Sequence, residues 1–491
     1  MSPMTSRPGI NPAPFKKLAV LLAIAGTLSA CVGGGSSSGT TGSTSSSGSS
    51  SGSSASATPI IGSTFSNSQA LITPGAGTGT TYYVSTTGSD SNNGLSPQTP
   101  FLTIQHAVEA VGPGGTVSIM GGTYPGGVVI DHPGTASGWI TMEPYQGQQV
   151  TLDGSAAQQD VYFYNTAFAP TYWEMKGLTL VNSLQYEIQI DVPDVKIVNN
   201  NISESDYSLV KLVSTAQNVV IWGNTIHDNN VSSSLASVSK GVDMVGSTNV
   251  LVANNTVYNI SFLGLYAKGN ATNITFDDNM LNNIGSRGIM LGESTGVQFL
   301  QPGKTYESYN SIIKNNVITN DQSACLAESS SYNAEIYNNS CYNTAIARHG
   351  AIMLSNESAL GQAGTNVYVQ NNVIYDLTNR PMEVIAPNAM TDYSTLHINN
   401  NLYYNPTGVT FEWDDKSIYG MPFTTWQQTT GLDQSTLVGD PLYASLTTLT
   451  LSANSPALNA GPVLPSVLHD FNGVLRPTTG SYDMGAYQSF Q

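Results

Sequence analysis

Residues 240–293 decide the fold, and they read KGVDMVGSTNVLVANNTVYNISFLGLYAKGNATNITFDDNMLNNIGSRGIMLGE. One short unit occurs here three times, as KGVDMV, LGLYAK and RGIML, and apolar residues alternate with other residues inside it. Such alternation is typical of β-strands, and repetition of a strand unit indicates a coil of stacked turns. After each of the first two copies, a second apolar run ends in an Asx–Asn pair, Asn254-Asn255 and Asp278-Asn279.

The second Asn of that pair recurs through most of the chain. It falls at Asn200, Asn224, Asn255, Asn279, Asn316, Asn339, Asn372 and Asn400. Successive copies lie 23 to 37 residues apart, which predicts an all-β parallel β-solenoid with insertions in some turns. Asn tolerates the left-handed backbone of a tight corner, and stacked amides can hydrogen-bond from turn to turn. We therefore interpret this Asn ladder as structural.

The insertions define two sides of the coil. Residues 296–311, 355–366 and 387–396 lie between the first strand of a unit and its Asn-bearing strand, so we expect a wall on one side. Residues 229–239 precede a first strand and belong on the opposite side. A row of strands between two sets of loops predicts a groove that suits an extended polymer.

The two ends of the coil carry different signals. Helical spacing predicts one short helix over Thr103–Val111, which would cover the open N-terminal end. The Asp90–Gly94 stretch resembles half a calcium loop without its distal acidic ligand, and we interpret it as a turn. Residues 81–436 are assigned to the solenoid and 437–491 to a C-terminal cap. Three charged residues of that cap are interpreted as structural: Asp470, Arg476 and Asp483.

The N-terminal region is interpreted as a targeting segment and a tether. Lys16 and Lys17 precede a short apolar run, and its ending at Cys31 resembles a bacterial lipobox. Residues 1–31 are therefore predicted to be a lipoprotein signal peptide with Cys31 lipidated, and 32–80 a Gly/Ser/Thr-rich flexible tether. This predicts an outer-membrane lipoprotein or an extracellular protein that meets a membrane only through its anchor. An ordinary secretory signal with Cys31 incidental is the alternative.

Two further cysteines, Cys325 and Cys341, remain after Cys31. An oxidising compartment permits a disulfide between them, and two buried thiols fit their apolar register equally well. The sequence leaves both states open.

Charge is sparse and unevenly placed. The formal net charge is −17, which argues against nucleic acid or an anionic bilayer as the main partner. Without the signal peptide, 12 of the 15 basic residues remain. Six of the 12 lie on or beside the first strands of successive units: Lys211, Lys240, Lys268, Arg287, Arg348 and Arg380. An acidic chain that gathers half its cations along one row is expected to bind an anion there.

Period-two alternation decides which side chains face the groove. The apolar residues of each first strand point into the coil, whereas Asp243, Tyr266 and Lys268 point out. Lys268, with other cations on adjacent turns, is expected to have a lowered pKa and to be able to act as a base. Asp243 together with Glu293 or Glu328 would supply oxygen ligands for a cation such as Ca²⁺.

The opening of the folded sequence, YYVSTTGSDSNNG…PFLTIQHAV…GGTY at 82–124, resembles the start of family 9 pectate lyases and of the alginate lyase and chondroitinase B-like family. The Asn-bearing repeats resemble more generally the right-handed parallel β-helix of polysaccharide lyases in the pectate lyase superfamily. The resemblance implies a right-handed coil and an acidic polysaccharide as partner. In those lyases a Lys or Arg removes the C5 proton of a uronic acid, and Ca²⁺ or basic residues neutralise the adjacent carboxylate. The bond to O4 then breaks by β-elimination.

Carried over by position, the resemblance assigns roles along the row. Lys268 becomes the candidate base, and Arg287 and Lys240 become clamps for the sugar carboxylate. Asp243 with Glu293 becomes a candidate Ca²⁺ site. The sugars would contact the remaining residues of the row, Lys211, Tyr266, Arg348, His349 and Arg380. The prediction is a lipid-anchored, monomeric lyase for a uronate-containing polysaccharide.

Fold alone does not decide the chemistry, and three alternatives stay open. A C5-epimerase would share the proton abstraction. A glycoside hydrolase would use two carboxylates roughly 5–9.5 Å apart, chosen from Asp243, Glu293, Glu328 and Glu383. A non-catalytic glycan-binding solenoid would stack sugars on outward aromatic rings, Tyr266, Trp413 and Tyr419.

Overall fold

The computed structural model describes residues 78–229, 238–359 and 361–489. Within these ranges the chain passes through three sheets in turn, and each turn of the coil contributes one strand to each sheet. Each sheet has 12 strands. Neighbouring strands are parallel except for the last pair of the third sheet. The fold is therefore the parallel β-helix that the repeats predict.

The strands of the three sheets are numbered in chain order. The first sheet consists of Thr81–Val84 (β1), Thr116–Ile119 (β2), Ile140–Pro144 (β5), Trp173–Lys176 (β8), Val195–Val198 (β11), Gln217–Trp222 (β14), Thr248–Ala253 (β17), Ala271–Asp277 (β20), Ser308–Lys314 (β23), Ser331–Tyr337 (β26), Thr365–Gln370 (β29) and Leu396–Asn399 (β32). The second sheet consists of Gly122–Pro125 (β3), Val150–Asp153 (β6), Thr179–Val181 (β9), Asn201–Ser203 (β12), Thr225–His227 (β15), Thr256–Ile260 (β18), Met280–Ile284 (β21), Val317–Thr319 (β24), Ser340–Tyr342 (β27), Val373–Tyr375 (β30), Leu402–Tyr404 (β33) and Leu437–Val438 (β36).

The third sheet carries the six basic residues. It consists of Val128–Ile130 (β4), Gln159–Phe163 (β7), Tyr186–Ile190 (β10), Ser208–Leu212 (β13), Lys240–Val245 (β16), Leu263–Lys268 (β19), Ile289–Leu291 (β22), Leu326–Ser329 (β25), Ile352–Ser355 (β28), Glu383–Ile385 (β31), Thr410–Trp413 (β34) and Ile418–Pro422 (β35). Short 3₁₀ helices lie between strands at Tyr145–Gly147, Val297–Phe299, Tyr393–Thr395 and Asp414–Lys416.

The interior of the coil is one continuous apolar core. Alternate strand residues point inward and are fully buried, among them Val242 and Met244 of β16 and Leu265 of β19. Burying one such aliphatic side chain stabilises the fold by about 1.5–3 kcal/mol. Because a single turn cannot cover its own apolar face, stacking of turns supplies the main driving force for folding.

The predicted Asn ladder is present and continuous. Each side-chain amide donates to the amide oxygen of the ladder Asn in the next turn at 2.9–3.1 Å. The rungs are Asn200, Asn224, Asn255, Asn279, Asn316, Asn339, Asn372 and Asn401. The prediction of Asn400 as the last rung is wrong, because Asn400 has a φ of 55° and takes the corner position. Asn254, the first member of its pair, takes the same position with a φ of 56°.

Helix α1, Ile104–Ala110, packs on the N-terminal end of the coil, as predicted. The hydroxyl of its N-cap residue Thr103 accepts a hydrogen bond from the His106 N–H. Asp90 accepts from the backbone N–H and the hydroxyl of Thr103 at 3.0 and 2.9 Å. The Asp90–Gly94 stretch is therefore a turn that holds the helix, as interpreted.

A second helix, α2 at Phe423–Thr430, was not predicted and packs on the last strands of the third sheet. Its Trp426 is fully buried and stacks on Phe411 of β34, with ring centroids 5.1 Å apart. Gly431 ends the helix in the left-handed conformation. The helix has no charged residue and few apolar ones, so helical periodicity does not reveal it.

The segment after β36 lies along the side of the coil. Its Tyr482 belongs to one apolar cluster with Ile312 and Tyr337 of the first sheet. Arg476 donates to the Asn315 side chain at 3.0 Å. The charged residues interpreted as structural are all buried: Asp470, Arg476 and Asp483.

Cys325 and Cys341 are joined by a disulfide. Cys325 directly precedes β25 of the third sheet, and Cys341 lies in β27 of the second sheet. Both are fully buried, so the bond links two sheets from inside the coil.

The predicted signal peptide, Cys31 and most of the tether lie outside the described residues, as do residues 230–237 of one insertion. None of the helices that the structure describes is long and apolar enough to cross a membrane. The lipid anchor stays a prediction.

Candidate functional site

A straight line of outward side chains runs along the third sheet. Strand pairing places these residues on successive turns, about 4.8 Å apart: Tyr162, Gln189, Lys211, Asp243, Tyr266, Met290, Ala327 and Met353. Insertions 296–311, 355–366 and 387–396 all connect the third sheet to the first, as predicted. They border one edge of the line, and we call this bordered face the groove.

The six basic residues lie on or beside the third sheet, which confirms that they share one strand row. Lys211, Lys240 and Lys268 belong to β13, β16 and β19, which are adjacent strands. The three arginines precede β22, β28 and β31: Arg287, Arg348 and Arg380.

Asp243 lies between two lysines at the centre of the groove. Its Oδ2 is 2.9 Å from Lys211 Nζ and 3.7 Å from Lys240 Nζ. Burial alone would raise the pKa of Asp243, but the two ammonium groups outweigh it and hold that pKa below its ordinary value. Burial lowers the pKa of Lys240. The Asp243 charge opposes this shift, and the charges of Lys211 and Lys268 reinforce it.

Tyr266 lies on the outer face yet is fully buried. Lys240 Nζ and Lys268 Nζ lie 5.7 and 5.3 Å from its ring centroid. Its hydroxyl donates to the Glu293 carboxylate, and burial together with the Glu293 charge raises the Tyr266 pKa well above its usual range. Because Tyr266 has no exposed surface, the prediction that its ring stacks on a sugar is wrong. Its ring instead contacts the ammonium groups of Lys240 and Lys268.

Arg287 bridges two carboxylates. Its Nη1 is 3.4 Å from Glu293 Oε1, and its Nη2 is 2.7 Å from Glu357 Oε1. Lys268 Nζ is 4.0 Å from Glu293 Oε2. We call these charged groups the central cluster: Lys211, Lys240, Asp243, Lys268, Arg287, Glu293 and Glu357. The four cations and three carboxylates give the central cluster a formal net charge of +1. The cluster therefore attracts an anion less strongly than its four cations alone would.

Arg348 and Arg380 form an open basic rim farther along the sheet. Both are exposed, and neither forms an ion pair with a carboxylate in the described part of the chain. Arg348 Nη2 donates to Ser286 Oγ at 2.8 Å, and Arg380 Nη2 donates to the Ala347 carbonyl at 2.7 Å. Burial, with the nearby arginines, lowers the pKa of His349 to about 4. The rim thus offers two positive charges that a sugar carboxylate can meet.

Some predicted groove residues lie inside the coil. Strand register points Glu328 and Glu383 inward, and both are fully buried. Burial raises the pKa of Glu328 to about 8 and that of Glu383 well above its ordinary value. Their assignment as hydrolase carboxylates is therefore wrong. Trp413 also belongs to the interior, 6.1 Å from Trp426, whereas Tyr419 is exposed.

Other groove residues were missed. Glu357 lies in the 355–366 insertion, where strand alternation gives no direction for a side chain. Tyr207 precedes β13, and its ring centroid is 5.4 Å from Lys240 Nζ. Tyr186 contacts Tyr207 edge to face at 5.8 Å. Tyr186 and Tyr207 could have been predicted as groove residues, because tyrosines cluster just before or within the first strands of the units.

The donor set at Asp243 and Glu293 does not fit Ca²⁺. Both carboxylates already pair with cations of the chain, Lys211 and Arg287, whose charges would repel a divalent ion. A calcium requirement stays an untested prediction.

Elsewhere in the described ranges, one group brings metal-binding atoms together. Asp277, Asp278 and His469 place one ligand atom each within 4.8 Å of one another. This group joins the first sheet to the side segment, outside the groove. Lys314 Nζ, 3.3 Å from Asp277, already supplies a positive charge there.

Comparison with known proteins supports the fold. Residues 161–302 match the family model for a right handed beta helix region, which gives the hand of the coil. A curated protein of Bacillus subtilis (strain 168), Uncharacterized protein YwoF, is 37% identical over 86 residues. That match covers 18% of this chain and 18% of the relative.

Solved structures extend the comparison to most of the chain. Pectate lyase Pel9A is 16% identical, with 83% of this chain and 96% of Pel9A covered at a TM-score of 0.57. A complex of XylC with xylose is 11% identical, with 84% and 98% covered at a TM-score of 0.49. The chain is a right-handed parallel β-helix, the fold that it shares with pectate lyase Pel9A.

Proposed function

We propose that this protein is a carbohydrate-active enzyme that binds an acidic polysaccharide in the groove and cleaves it by β-elimination. The observation that carries the proposal is the central cluster, where Lys240 and Lys268 flank one buried tyrosine on adjacent turns. The shared fold with a structure named as a pectate lyase supports a groove of this kind.

Lys240 is the base in this proposal. A base must be neutral to accept the C5 proton, and burial shifts Lys240 toward its neutral form. Lys268, which is nearer the open groove, then faces the sugar carboxylate. The sequence-based prediction is the reverse, with Lys268 as the base and Lys240 as a clamp for the sugar carboxylate, so the two lysines need separate tests.

The cations of the groove offset charge as the proton leaves. The sugar carboxylate lies against Lys268, whose positive charge makes the C5 proton more acidic. Lys240 Nζ takes that proton, the C5 electron pair forms the C4–C5 double bond, and the C4–O4 bond breaks. The departing O4 takes a proton from water.

The test is product chemistry on a panel of uronate polymers, with and without a chelator. Elimination gives an unsaturated uronate with new ultraviolet absorbance and an equal number of reducing ends. Reducing ends without that absorbance would contradict the proposal.

A hydrolase is the second candidate, because one guanidinium holds two carboxylates. Glu293 and Glu357 both contact Arg287. They therefore lie within the roughly 9.5 Å upper limit for paired carboxylates of glycosidases. In a hydrolase, Glu357→Gln would abolish release of reducing ends, whereas in a lyase it would leave most of the elimination rate.

The proposal also places the enzyme at the cell surface through a lipid on Cys31. Cys31→Ser would then release the protein into the soluble fraction. Retention of this variant in the membrane fraction would contradict a lipid anchor at that residue.

A further inference from the structure

We propose that the groove binds two kinds of sugar, a neutral unit at its N-terminal end and a uronate at the central cluster. The preferred substrate is then a heteropolysaccharide in which neutral sugars neighbour uronates. This inference rests on the proposed function and adds the substrate class to it.

The outer face changes character one turn before the central cluster. On β7 and β10 the side chains carry amide and phenol groups, joined by hydrogen bonds. Gln159 Nε2 donates to Gln189 Oε1 at 2.8 Å, and Gln189 Nε2 donates to Asp191 Oδ1 at 3.0 Å. The Tyr162 hydroxyl donates to Asp191 Oδ2 at 2.7 Å. We call these residues, with the adjacent rings, the neutral patch: Gln159, Tyr162, Tyr164, Tyr186, Gln189 and Asp191.

The charge of the neutral patch disfavours a uronate. Asp191 carries its one formal charge, and both carboxylate oxygens accept hydrogen bonds from the patch itself. The cation on the next turn, Lys211, is ion-paired with Asp243 at 2.9 Å. A sugar carboxylate here would face a like charge, and on β7 and β10, both within the described residues, the third sheet carries no cation, whereas a neutral sugar meets no such repulsion.

The rings of this region are suited to the apolar faces of sugars. Tyr162 and Tyr164 stack on each other with centroids 5.1 Å apart, and Phe168 meets Tyr164 edge-on at 5.7 Å. Phe168 is 44% exposed, and the two tyrosines are half-buried. Rigid, partly exposed rings beside amide groups combine stacking with hydrogen bonds to hydroxyls.

The neutral patch and the central cluster lie on one line. Strand register puts Tyr162, Gln189, Lys211 and Asp243 on four consecutive turns. An extended chain that places a uronate over the lysines therefore places its next sugars over the neutral patch. A chain with a uronate in every unit meets Asp191 with a carboxylate in every register, whereas a mixed chain can place a neutral sugar there.

Binding of defined hexasaccharides tests the inference without any reaction. Calorimetry would use the full-length Lys240→Ala variant, a galacturonate hexamer, and two alternating hexamers. One alternates glucuronate with N-acetylglucosamine, and the other alternates galacturonate with rhamnose. At least one alternating hexamer is expected to bind more tightly than the galacturonate hexamer. Adding Tyr162→Ala should weaken that binding about tenfold and change galacturonate binding much less.

Two further variants keep the test decisive. Tyr332→Ala removes an exposed tyrosine ring on the first sheet, away from the neutral patch, and should change no affinity. Asp191→Asn removes the repelling charge and should improve binding of the galacturonate hexamer. The inference is overturned if the galacturonate hexamer binds as tightly as both alternating ones, or if Tyr162→Ala weakens all hexamers equally. Absence of ultraviolet product with the unmodified protein would overturn the elimination reaction alone.

Discussion

Two lines of stacked side chains run along this coil: the Asn ladder, from Asn200 to Asn401 at an inner corner, and the outer line of the third sheet. In the ladder every turn carries the same residue, and each amide is satisfied by the next one, as Asn255 is by Asn279 at 3.0 Å. In the outer line the residue changes at every turn, from Tyr162 and Gln189 to Lys211 and Asp243. Neighbouring groups there form ion pairs across turns.

This difference indicates that the Asn ladder stabilises the coil, whereas the outer line carries the candidate functional residues. A buried amide must find the same partner in every turn, since an unsatisfied donor costs about 1–3 kcal/mol. An outward side chain can hydrogen-bond to water instead of to the next turn, so the residue type can differ from turn to turn. Variation along one line of a repetitive fold therefore marks the candidate site.

The largest expected effect is on catalysis, and it distinguishes the roles of Lys240 and Lys268. Lys240→Ala should lower kcat for elimination about 10²–10⁴-fold, the usual contribution of a general base. Lys268→Ala should mainly raise KM, because it loses a contact to the sugar carboxylate. Ultraviolet initial rates across substrate concentrations measure both. The reverse pattern would assign the base to Lys268.

The ladder should respond in stability and not in chemistry. Asn279→Ala removes the amide oxygen that accepts from the backbone N–H and the side chain of Asn255. The Asn255 side chain keeps the Ile221 and Ala253 carbonyls as acceptors, so one buried backbone N–H is left without a partner, which should cost about 1–3 kcal/mol of unfolding free energy. Denaturant unfolding measures this loss. Asn282→Ala, which removes one half-exposed hydrogen bond to Thr319, is the matched control and should cost far less.

The disulfide should stabilise the interior independently of the ladder. Cys325 and Cys341 are 16 residues apart in sequence, and closing a loop of that length contributes about 3 kcal/mol in the chain-entropy model. The double variant Cys325→Ala/Cys341→Ala should lose about that much in denaturant unfolding, with kcat/KM unchanged in the folded state. An unchanged midpoint would show that the bond does not stabilise the coil.

The smallest expected effect is a shift in pH dependence. The Asp243 charge raises the pKa of Lys240 against the effect of burial. Asp243→Asn removes that attraction, so the Lys240 pKa should fall and the neutral base should persist to lower pH. The acidic limb of the kcat/KM profile should move to lower pH. A shift to higher pH would exclude Lys240 as the titrating base.

Much of the fold could be predicted because it repeats. The strand units, the inward apolar residues and the ladder all follow from a local pattern seen several times. Asn400 was assigned wrongly because three consecutive Asn residues, 399–401, hide which one takes the corner. Helix α2 was missed because it occurs once and its contact depends on one ring, Trp426.

The site could be predicted only in part, since its contacts cross loops and turns. Register placed Lys211 beside Asp243 correctly, as both lie within strands. Glu357 was missed because insertion loops have no period. The ion pairs of Arg287 could not be predicted either, because a sequence shows cations without showing which carboxylates fold onto them.

A crystal structure of the Lys240→Ala variant with a bound uronate hexasaccharide tests the central claim most directly. We expect sugar density along the outer line of the third sheet, with one carboxylate near Lys268 and the C5 of that sugar facing the space vacated at residue 240. Density on another sheet, or none in the groove at saturating ligand, would contradict it.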